Sequence, residues 1–516
     1  MADQIMMFLD YKPQATNNSC DFAPKLPIGW DRIAFNNLLF KSHRFDIAIA
    51  ETNVATLQLT TNVIATVNKK NTGVFNCDIY LRVPVDQITN ANHIVVANTN
   101  EFAAGSSLNG FTSSVNSNTG AIRITGPFSS AAQLQSIGVY PDSEKQGVTD
   151  FWKAQHGYNQ TALASSNAPN GLTLRQNYFA GTDPASTAGR FSISNVSVSA
   201  AGVITANWRS QQDGTTVTRL YDVYRMQGPF TNGATWTRIS QNVAAAGATT
   251  ALNEDVSAGT ITQRFYRITV AGHTNDAATA EIVGVHKLTL LEGRNYISMS
   301  MLPGTNTLLG VLGTNQLPQG ASESVATVVD LWNQSGQTFG NTTRYWLDTG
   351  VNGWKRSNDQ NPSNGVLLDP NKGLIVTIRA GQGNQTLRTV GFVPTNSEIQ
   401  VVQGGANQTN YTVASSTFPA PVGLANSGLI ASGFTGTSDS LSPHSDWLLF
   451  FNPATQLFDT KIWYDANGGV WRNVSDASVA TKQLQPGESF LLLRRNRASN
   501  LSWTNAVSYT VPFQGP

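Results

Sequence analysis

The second half of the chain contains a tandem repeat, and this repeat constrains the fold more than any other feature of the sequence. Residues 344–381 align with residues 461–498 at an offset of about 117 positions, the difference between 463 and 346. The matched positions are Trp346 with Trp463, Asp348 with Asp465, Trp354 with Trp471 and, after a one-residue gap, Pro370 with Pro486. Two segments that keep the same residues in the same order are expected to share one fold.

Each copy of the repeat has the sequence features of a β-hairpin. An Asn-Gly or Asn-Gly-Gly turn separates two tryptophan-containing strands, and a Leu-x-Pro sequence then leads into an apolar strand. Asn and Gly tolerate the positive φ that hairpin turns require. Two tandem β-domains, 284–395 and 396–516, are the simplest interpretation. The alternative, one pseudo-symmetric barrel or sandwich closed by both copies, stays open.

Alternation of apolar and polar residues predicts strands in the first half of the chain as well. It is clear at 55–68, 75–85 and 120–126, and five or six short alternating runs occupy 185–283. Period-two alternation is typical of strands with one buried face. We therefore expect an N-terminal β-sandwich over 1–140 and an immunoglobulin-like sandwich over 185–283. The fold class is all-β, with tandem sandwich-like domains and a short helical or loop pair, 141–184, between the first and second.

Charge and cysteine content restrict the partners and the chemistry. The net charge is +1, so the chain has no basic field for nucleic acid. No apolar run reaches the roughly 18–20 residues that a membrane-spanning helix needs. The two cysteines, Cys20 and Cys77, allow one intrachain bridge or two thiols, and the sequence leaves both open.

The segment between the first two sandwiches resembles a known linker. The sequences DSEKQGVTDFWKAQHG (142–157) and NAPNGLTLRQNYFAGTDP (167–184) resemble the paired calcium loops of thrombospondin type 3-like or dockerin-like linkers in large secreted bacterial proteins. Calcium loops supply oxygens at positions 1, 3, 5 and 9 and a carboxylate at position 12. The first loop carries at these positions Asp142, Glu144, Gln146, Asp150 and Lys153, and the second Ser166, Ala168, Asn170, Leu174 and Asn177.

The residues at position 12 argue against a functional calcium site. The ammonium group of Lys153 would repel a cation, and we expect it to pair with Asp142 or Asp150 instead. The second loop has no carboxylate at these positions. We therefore expect a metal-free scaffold held by packing of Phe151, Trp152, Tyr178 and Phe179. The alternative is a weak residual site in the first loop formed by Asp142, Glu144 and Asp150.

Two further resemblances concern the rest of the chain. With Trp208, Tyr224 and Tyr266 on alternating strands, residues 185–283 resemble a fibronectin type III module, in which such aromatic residues fill the core. The tandem repeat is similar to a repeat module of unassigned function in large secreted bacterial proteins. Together with the loop pair, these resemblances imply a location outside a bacterial cell, at its surface.

The sequence offers little support for catalysis. The six histidines lie far apart, and no GxSxG, CxxC, HExxH or Walker motif occurs. We therefore predict no enzymatic activity, no catalytic residues, no cofactor and no metal. Scattered carboxylates leave a polysaccharide-degrading enzyme as a third hypothesis, since the two acids of a glycosidase are often remote in sequence.

The paired tryptophans are the candidate binding residues. Trp346, Trp354, Trp463 and Trp471 lie close in sequence to Asp348 and Asp465. Exposed aromatic rings beside a carboxylate would suit stacking on sugars. The alternative is packing across the hairpins, where aromatic pairs are common.

These observations favour a non-enzymatic extracellular structural protein. We expect a self-assembling subunit of a bacterial surface layer, filament or adhesive appendage, because near-zero net charge leaves self-association unopposed. The alternative is a carbohydrate-binding adhesin that contacts surface glycans. The apolar N-terminal stretch, 1–45, either folds onto its own domain or is donated as a strand to a neighbouring subunit.

Overall fold

The chain is mostly strand. The structure is a computed structural model that describes residues 12–14, 19–22, 32–40, 43–53, 61–69, 75–83, 92–97, 100–108, 110–128, 134–159, 161–212, 219–231, 233–257, 261–273, 278–279 and 281–509. Strands make up 48% and helices 7%, which confirms the all-β prediction. No helix in these ranges is long and apolar enough to cross a membrane.

The N-terminal unit is a β-sandwich. Its strands are β1 (Lys12–Gln14), β2 (Ser19–Phe22), β3 (Arg32–Phe40), β4 (His43–Asn53), β5 (Thr61–Lys69), β6 (Phe75–Arg82), β7 (Asn92–Ala97), β8 (Asn100–Ala103), β9 (Ser107–Leu108), β10 (Phe111–Asn116), β11 (Ala121–Phe128) and β12 (Leu134–Asp142). They form two six-stranded sheets with the orders β1-β2-β6-β11-β10-β9 and β3-β4-β5-β12-β7-β8. Alternate residues such as Ile49, Val67, Leu81 and Ile124 build the core.

The described parts of the N-terminal stretch belong to this sandwich. Strand β2 pairs with β6, and β3 pairs with β4. The described parts of residues 1–45 therefore pair with strands of their own domain, and donation of a strand to a neighbouring subunit stays a prediction. The remaining residues of the stretch lie outside the described ranges.

Two short helices follow, as expected for the loop pair. They are α1 (Asp150–Gln155) and α2 (Leu174–Ala180). The side chains of Thr149 and Thr173 accept hydrogen bonds at their N-termini, and Gly181 ends α2 with a φ of 69°. Three of the four expected packing residues are buried, whereas Phe151 is 36% exposed.

The second sandwich shares its core with the loop pair. Its strands are β13 (Ile193–Val198), β14 (Val203–Arg209), β15 (Leu220–Gln227), β16 (Thr237–Ala244), β17 (Thr249–Asp255), β18 (Gln263–Val270) and β19 (Val283–Leu290). A three-stranded sheet, β13-β14-β17, faces a sheet that contains β16-β15-β18-β19. Trp208 and Tyr266 fill the space between them, as expected for core aromatic residues, together with Tyr221; the same cluster includes Trp152 and Tyr178. The prediction was wrong for Tyr224, which is only partly buried and lies outside this cluster.

Both repeats contain the same five-stranded sheet. The strands of the first are β20 (Gly293–Ile297), β21 (Val328–Leu331), β22 (Arg344–Asp348), β23 (Gly353–Arg356), β24 (Leu374–Ile378) and β25 (Gln385–Phe392). The strands of the second are β26 (Glu398–Val402), β27 (Gly405–Ser415), β28 (Val422–Gly423), β29 (Trp447–Asn452), β30 (Leu457–Asp465), β31 (Val470–Asn473), β32 (Gln483–Leu484), β33 (Ser489–Arg497) and β34 (Leu501–Asn505). The orders β20-β24-β21-β22-β23 and β27-β33-β29-β30-β31 are equivalent, which confirms the predicted common fold.

Short helices complete the repeats, and each repeat has its own core. In the first repeat, α3 covers Leu308–Leu312 and a 3-10 turn covers Asn341–Thr343; in the second, a 3-10 turn covers Leu424–Asn426. Another 3-10 turn, Thr187–Gly189, precedes β13 of the second sandwich. One cluster surrounds Trp354, and a separate cluster surrounds Trp471 and Trp503. Each repeat thus has a hydrophobic cluster of its own, and a further cluster packs Tyr296 and Trp332 of the first repeat against Val413 and Leu491 of the second.

The repeated hairpin is held in the same way in both domains. Asp348 forms an ion pair with Lys355, with the Nζ 2.5 Å from Oδ2. At the equivalent position, Asp465 forms an ion pair with Arg472, with the Nε 2.8 Å from Oδ2. The hairpin loops end on residues with positive φ, Asn352 and Gly469. The turn chemistry that the sequence predicts is therefore present in each copy.

Strand β19 belongs to two units at once. It pairs with β18 of the second sandwich through residues 283–286 and with β25 of the first repeat along 283–290. The resulting five-stranded sheet, β16-β15-β18-β19-β25, is continuous. The boundary predicted at 283/284 therefore falls inside a sheet, because hydrogen bonds join the two units there without a linker.

A pH dependence follows from a histidine on this shared strand. His286 is 5% exposed, and its Nδ1 lies 2.9 Å from the Ser300 hydroxyl. Burial lowers the pKa of His286 from 6.5 to about 4. Because the folded state favours the neutral imidazole, the contribution of His286 to the free energy of unfolding is complete above pH 6.5. This contribution is lost as the pH falls towards 4.

We expect the free energy of unfolding to fall by about 3 kcal/mol across this window. His286→Asn should flatten this part of the profile in denaturant titrations. His444→Asn, at an exposed histidine, should leave it unchanged. A wild-type profile that is already flat between pH 6.5 and 4 would contradict the assignment.

Candidate functional site

The first loop of the 141–184 segment contains a buried charge cluster. Lys153 and Asp150 have no exposed surface, and the Lys153 Nζ lies 3.6 Å from an Asp150 carboxylate oxygen. Asp142 is 1% exposed and accepts a hydrogen bond of 2.6 Å from the Gly147 backbone N–H. The ion pair predicted from the position of Lys153 is therefore present.

Burial and charge act in opposite directions on the two aspartates. Burial raises the pKa of Asp142, and the Gly147 N–H and the charge of Lys153 offset part of that rise. Burial also raises the pKa of Asp150, against hydrogen bonds from Ser143 and the charge of Lys153. A fixed ammonium group thus supplies positive charge beside two acids that would otherwise be desolvated and uncompensated.

The remaining residue of the expected weak site does not complete a metal-binding group. Glu144 is only half-buried. Within the described ranges, no three His, Cys, Asp or Glu side chains lie together as a metal ion would require. Calcium independence of the loops stays a prediction, tested below.

The second loop is closed by paired amides. The Asn170 Nδ2 donates to Asn177 Oδ1 at 2.6 Å, and the Asn177 Nδ2 donates back to Asn170 Oδ1 at 3.1 Å. The Thr182 hydroxyl also donates to Asn177 Oδ1 at 2.8 Å. These neutral groups satisfy one another, so the loop needs no cation to hold its oxygens together.

The four candidate tryptophans are buried. Their exposures are 3%, 0%, 4% and 5% for Trp346, Trp354, Trp463 and Trp471. The Trp354 Nε1 donates to the Gly313 carbonyl at 3.0 Å. No ring face is available for a sugar to stack on, so the burial favours packing across the hairpins over glycan binding for these residues.

An open sheet edge lies in the second repeat. Strand β26 pairs with β34 and with no other strand in the described part of the chain. On its outward face, Ile399 is 61% exposed and Val401 is 53% exposed. A groove of about 330 Å3 runs beside this strand and is lined also by Gln334, Asn371 and Lys372.

The equivalent strand of the first repeat is covered. Strands β19 and β26 begin 115 residues apart (398 minus 283), and their partners β25 and β34 begin 116 residues apart (501 minus 385). In each repeat these two strands pair with each other. The second edge of β19 is occupied by β18. The equivalent edge of β26 has no partner strand in the described part of the chain.

A larger cavity lies where three units meet. It has a volume of about 770 Å3 and is bounded by Asn167 of the loop pair, Arg190 and Glu281 of the second sandwich, and Phe392 and Asn396 near the end of the first repeat. The Arg190 Nε and the Glu281 Oε2 are buried without a hydrogen-bond partner in the described residues. Burial raises the pKa of Glu281, and the charge of Arg190 offsets part of the rise.

Neither the open edge nor the cavity is evident from the sequence. Arg190 and Glu281 are 91 positions apart (281 minus 190), and no motif joins them. The segment EIQVV at 398–402 has the ordinary alternation of a strand. The offset between the repeats, extended upstream, is the one sequence signal that relates β26 to β19. It could have indicated that β26 is equivalent to a strand that pairs on both of its edges.

One comparison with known proteins gives a match. Residues 14–64 are similar to the family described as glycosyl hydrolase family 65, C-terminal domain. The match covers 51 of 516 residues and lies within the N-terminal sandwich. That domain is a β-sandwich found in glycosyl hydrolases and is not itself catalytic. No curated protein matches the chain.

We predict that the loop pair is independent of calcium and depends on Lys153. Wild-type melting curves in EDTA and in millimolar calcium should superimpose. Lys153→Met should lower the free energy of unfolding by about 3–5 kcal/mol, because it leaves two buried carboxylates without their cation. Lys461→Met, at an exposed lysine, is the matched control. A calcium-dependent rise in the wild-type melting temperature would contradict the prediction.

Proposed function

We propose that this chain is a non-enzymatic structural subunit that self-associates by strand addition at β26. The assembly is a bacterial surface layer, filament or adhesive appendage outside the cell. The observation that carries the proposal is the open edge of β26, at the position where the first repeat has a partner strand. The extracellular location rests on the family resemblances of the loop pair, the second sandwich and the repeat.

The first repeat supplies an internal precedent for the contact. There, β18 completes the sheet by pairing with β19 at Gln263–His286, Arg264–Val285, Phe265–Gly284 and Tyr266–Val283. Backbone hydrogen bonds give such a contact its affinity, and side chains on alternate positions give it specificity. A strand from a second molecule would meet the same kind of edge at β26.

The composition of the edge supports this use. Monomeric proteins protect an edge strand with lysine, proline, a bulge or inward-pointing charge. The strand Glu398–Val402 has no lysine or proline and pairs with β34 in unbroken register. Its one charged residue, Glu398, is partly buried and accepts a hydrogen bond from the Asn371 Nδ2 at 3.2 Å. Two β-branched side chains of this strand, Ile399 and Val401, face solvent. Burying these two side chains would lower the free energy by about 25 cal/mol for each Å2 of apolar surface removed from water.

Electrostatics does not oppose association. The 33 basic and 32 acidic residues leave a net charge of +1, so copies of the chain repel one another weakly. Exposed serine and threonine, such as Ser502 and Thr504 opposite the apolar pair, add hydrogen-bonding groups without charge. Association through this face would therefore be expected to persist at physiological salt.

The test is a comparison of lysine variants by sedimentation and electron microscopy at rising protein concentration. The wild-type chain should form ordered polymers. Ile399→Lys combined with Val401→Lys should abolish them, because two charges would be buried at the contact. Leu457→Lys places the same charge on a side chain that is 63% exposed elsewhere in the second repeat, and polymers should remain.

Two results would count against the proposal. A wild-type chain that stays monomeric at all concentrations would exclude self-assembly. Polymers that survive in the Ile399→Lys, Val401→Lys variant with its fold intact would show that assembly uses a different surface.

A second candidate function is carbohydrate binding at the junction cavity. The similarity of residues 14–64 to a domain of glycosyl hydrolases favours a carbohydrate-related role. The cavity is lined by the charged residues Arg190 and Glu281 and by the apolar ring of Phe392. Sugar hydroxyls both donate and accept hydrogen bonds, and sugar C–H faces pack against apolar groups.

A glycan array tests this candidate. Binding by the wild-type chain should weaken about 10-fold or more in Glu281→Gln, since a hydrogen bond to a charged group is lost. Asp359→Asn changes a partly exposed carboxylate outside the cavity and should bind as the wild type does. Equal binding by both variants would exclude the cavity, and turnover of a bound glycan would favour the enzyme hypothesis instead.

A further inference from the structure

We infer that Cys20 and Cys77 form a disulfide bond inside the N-terminal sandwich. They are the only cysteines among 516 residues. Strand β2 pairs in parallel with β6, and the register places Cys20 directly opposite Cys77. The inference rests on this juxtaposition and is independent of the proposed assembly.

The spacing of paired strands suits a disulfide. Neighbouring strands lie about 4.8 Å apart, and bridged cysteines have Cα atoms roughly 4.4 to 6.8 Å apart. Residues that pair across two strands occupy the same face of the sheet, because the side-chain period is two. Cys20 and Cys77 therefore hold register positions from which a bridge requires little movement of the backbone.

The strand register defines the neighbours of Cys77 along β6 and across the sheet. Cys77 stands two and four positions before Ile79 and Leu81 on β6, and both of these have no exposed surface and belong to the core. On its other side, Cys77 pairs with Gly126 of β11. A bridge at this position joins the short strand β2 to β6, which lies between β2 and β11 in the sheet.

The reaction requires an oxidant. Two thiols become one disulfide and lose two protons and two electrons, which an external disulfide such as oxidised glutathione takes up by thiol–disulfide exchange. The bridge therefore forms where such an oxidant persists, outside the reducing cytosol. It closes the loop from residue 20 to residue 77, and the unfolded chain loses conformational freedom accordingly.

The experiment refolds the full chain in a glutathione redox buffer and alkylates it in denaturant without reductant. We expect no alkylated cysteine before reduction, two after reduction, and a Cys20–Cys77 peptide in a non-reduced digest. Alkylation of both cysteines before reduction would overturn the inference. A linked peptide between two chains, or between two copies of one cysteine, would do the same.

Stability supplies a second readout. The N-terminal sandwich of the oxidised wild-type chain should melt about 10 °C above the reduced form. The Cys20→Ala, Cys77→Ala double variant should melt at one temperature in both conditions. If the wild-type melting temperature is equally insensitive to reductant, the two residues are unpaired thiols and the inference fails.

Discussion

The pairing of strand β19 on both of its edges is the contact on which the arrangement of the second half of the chain depends. Val283–Leu290 is the last strand of one sandwich and the first strand of the next domain. Backbone hydrogen bonds cross this boundary at fixed spacing, so neither domain can tilt without breaking the ladder. A cluster with Phe230, Met301 and Phe418, from the sandwich and from each repeat, packs beside it. The domains thus form a continuous body with apolar contacts where a linker would be expected.

The sequence predicts what is local and repeated, and it does not predict what is remote. The Trp, Asn-Gly, Trp order recurs at one offset, and the two five-stranded sheets follow from it. Lys153 at a ligand position also indicated its own ion pair. The alternation of VGVHKLTL is the same whether a strand has one partner or two, so the double role of β19 was not predictable. Arg190 and Glu281 meet only through tertiary packing.

The loop pair is held together by contacts among its own polar side chains. A calcium loop draws oxygens together around a divalent cation. Here a lysine ammonium stands beside two buried carboxylates in the first loop, and two amides bond reciprocally in the second. The lysine ammonium group and the amide groups are side chains of the protein itself, so unlike a bound ion they cannot dissociate from it. The helices behind them pack Trp152 and Tyr178 against the same core as Tyr221.

If copies of the chain associate at β26 as proposed, the symmetry of that contact would determine the kind of assembly. Two β26 edges related by a two-fold axis would satisfy each other and stop at a dimer, whereas pairing with a different strand leaves a free edge on each new molecule. In the first repeat the partner of the equivalent strand is β18, which differs from it in sequence and belongs to another module. The chain also carries a sheet-edge strand of different sequence, β16, which pairs only with β15 in the described ranges. The internal precedent is therefore heterologous, and a heterologous contact that does not close into a ring extends as a filament.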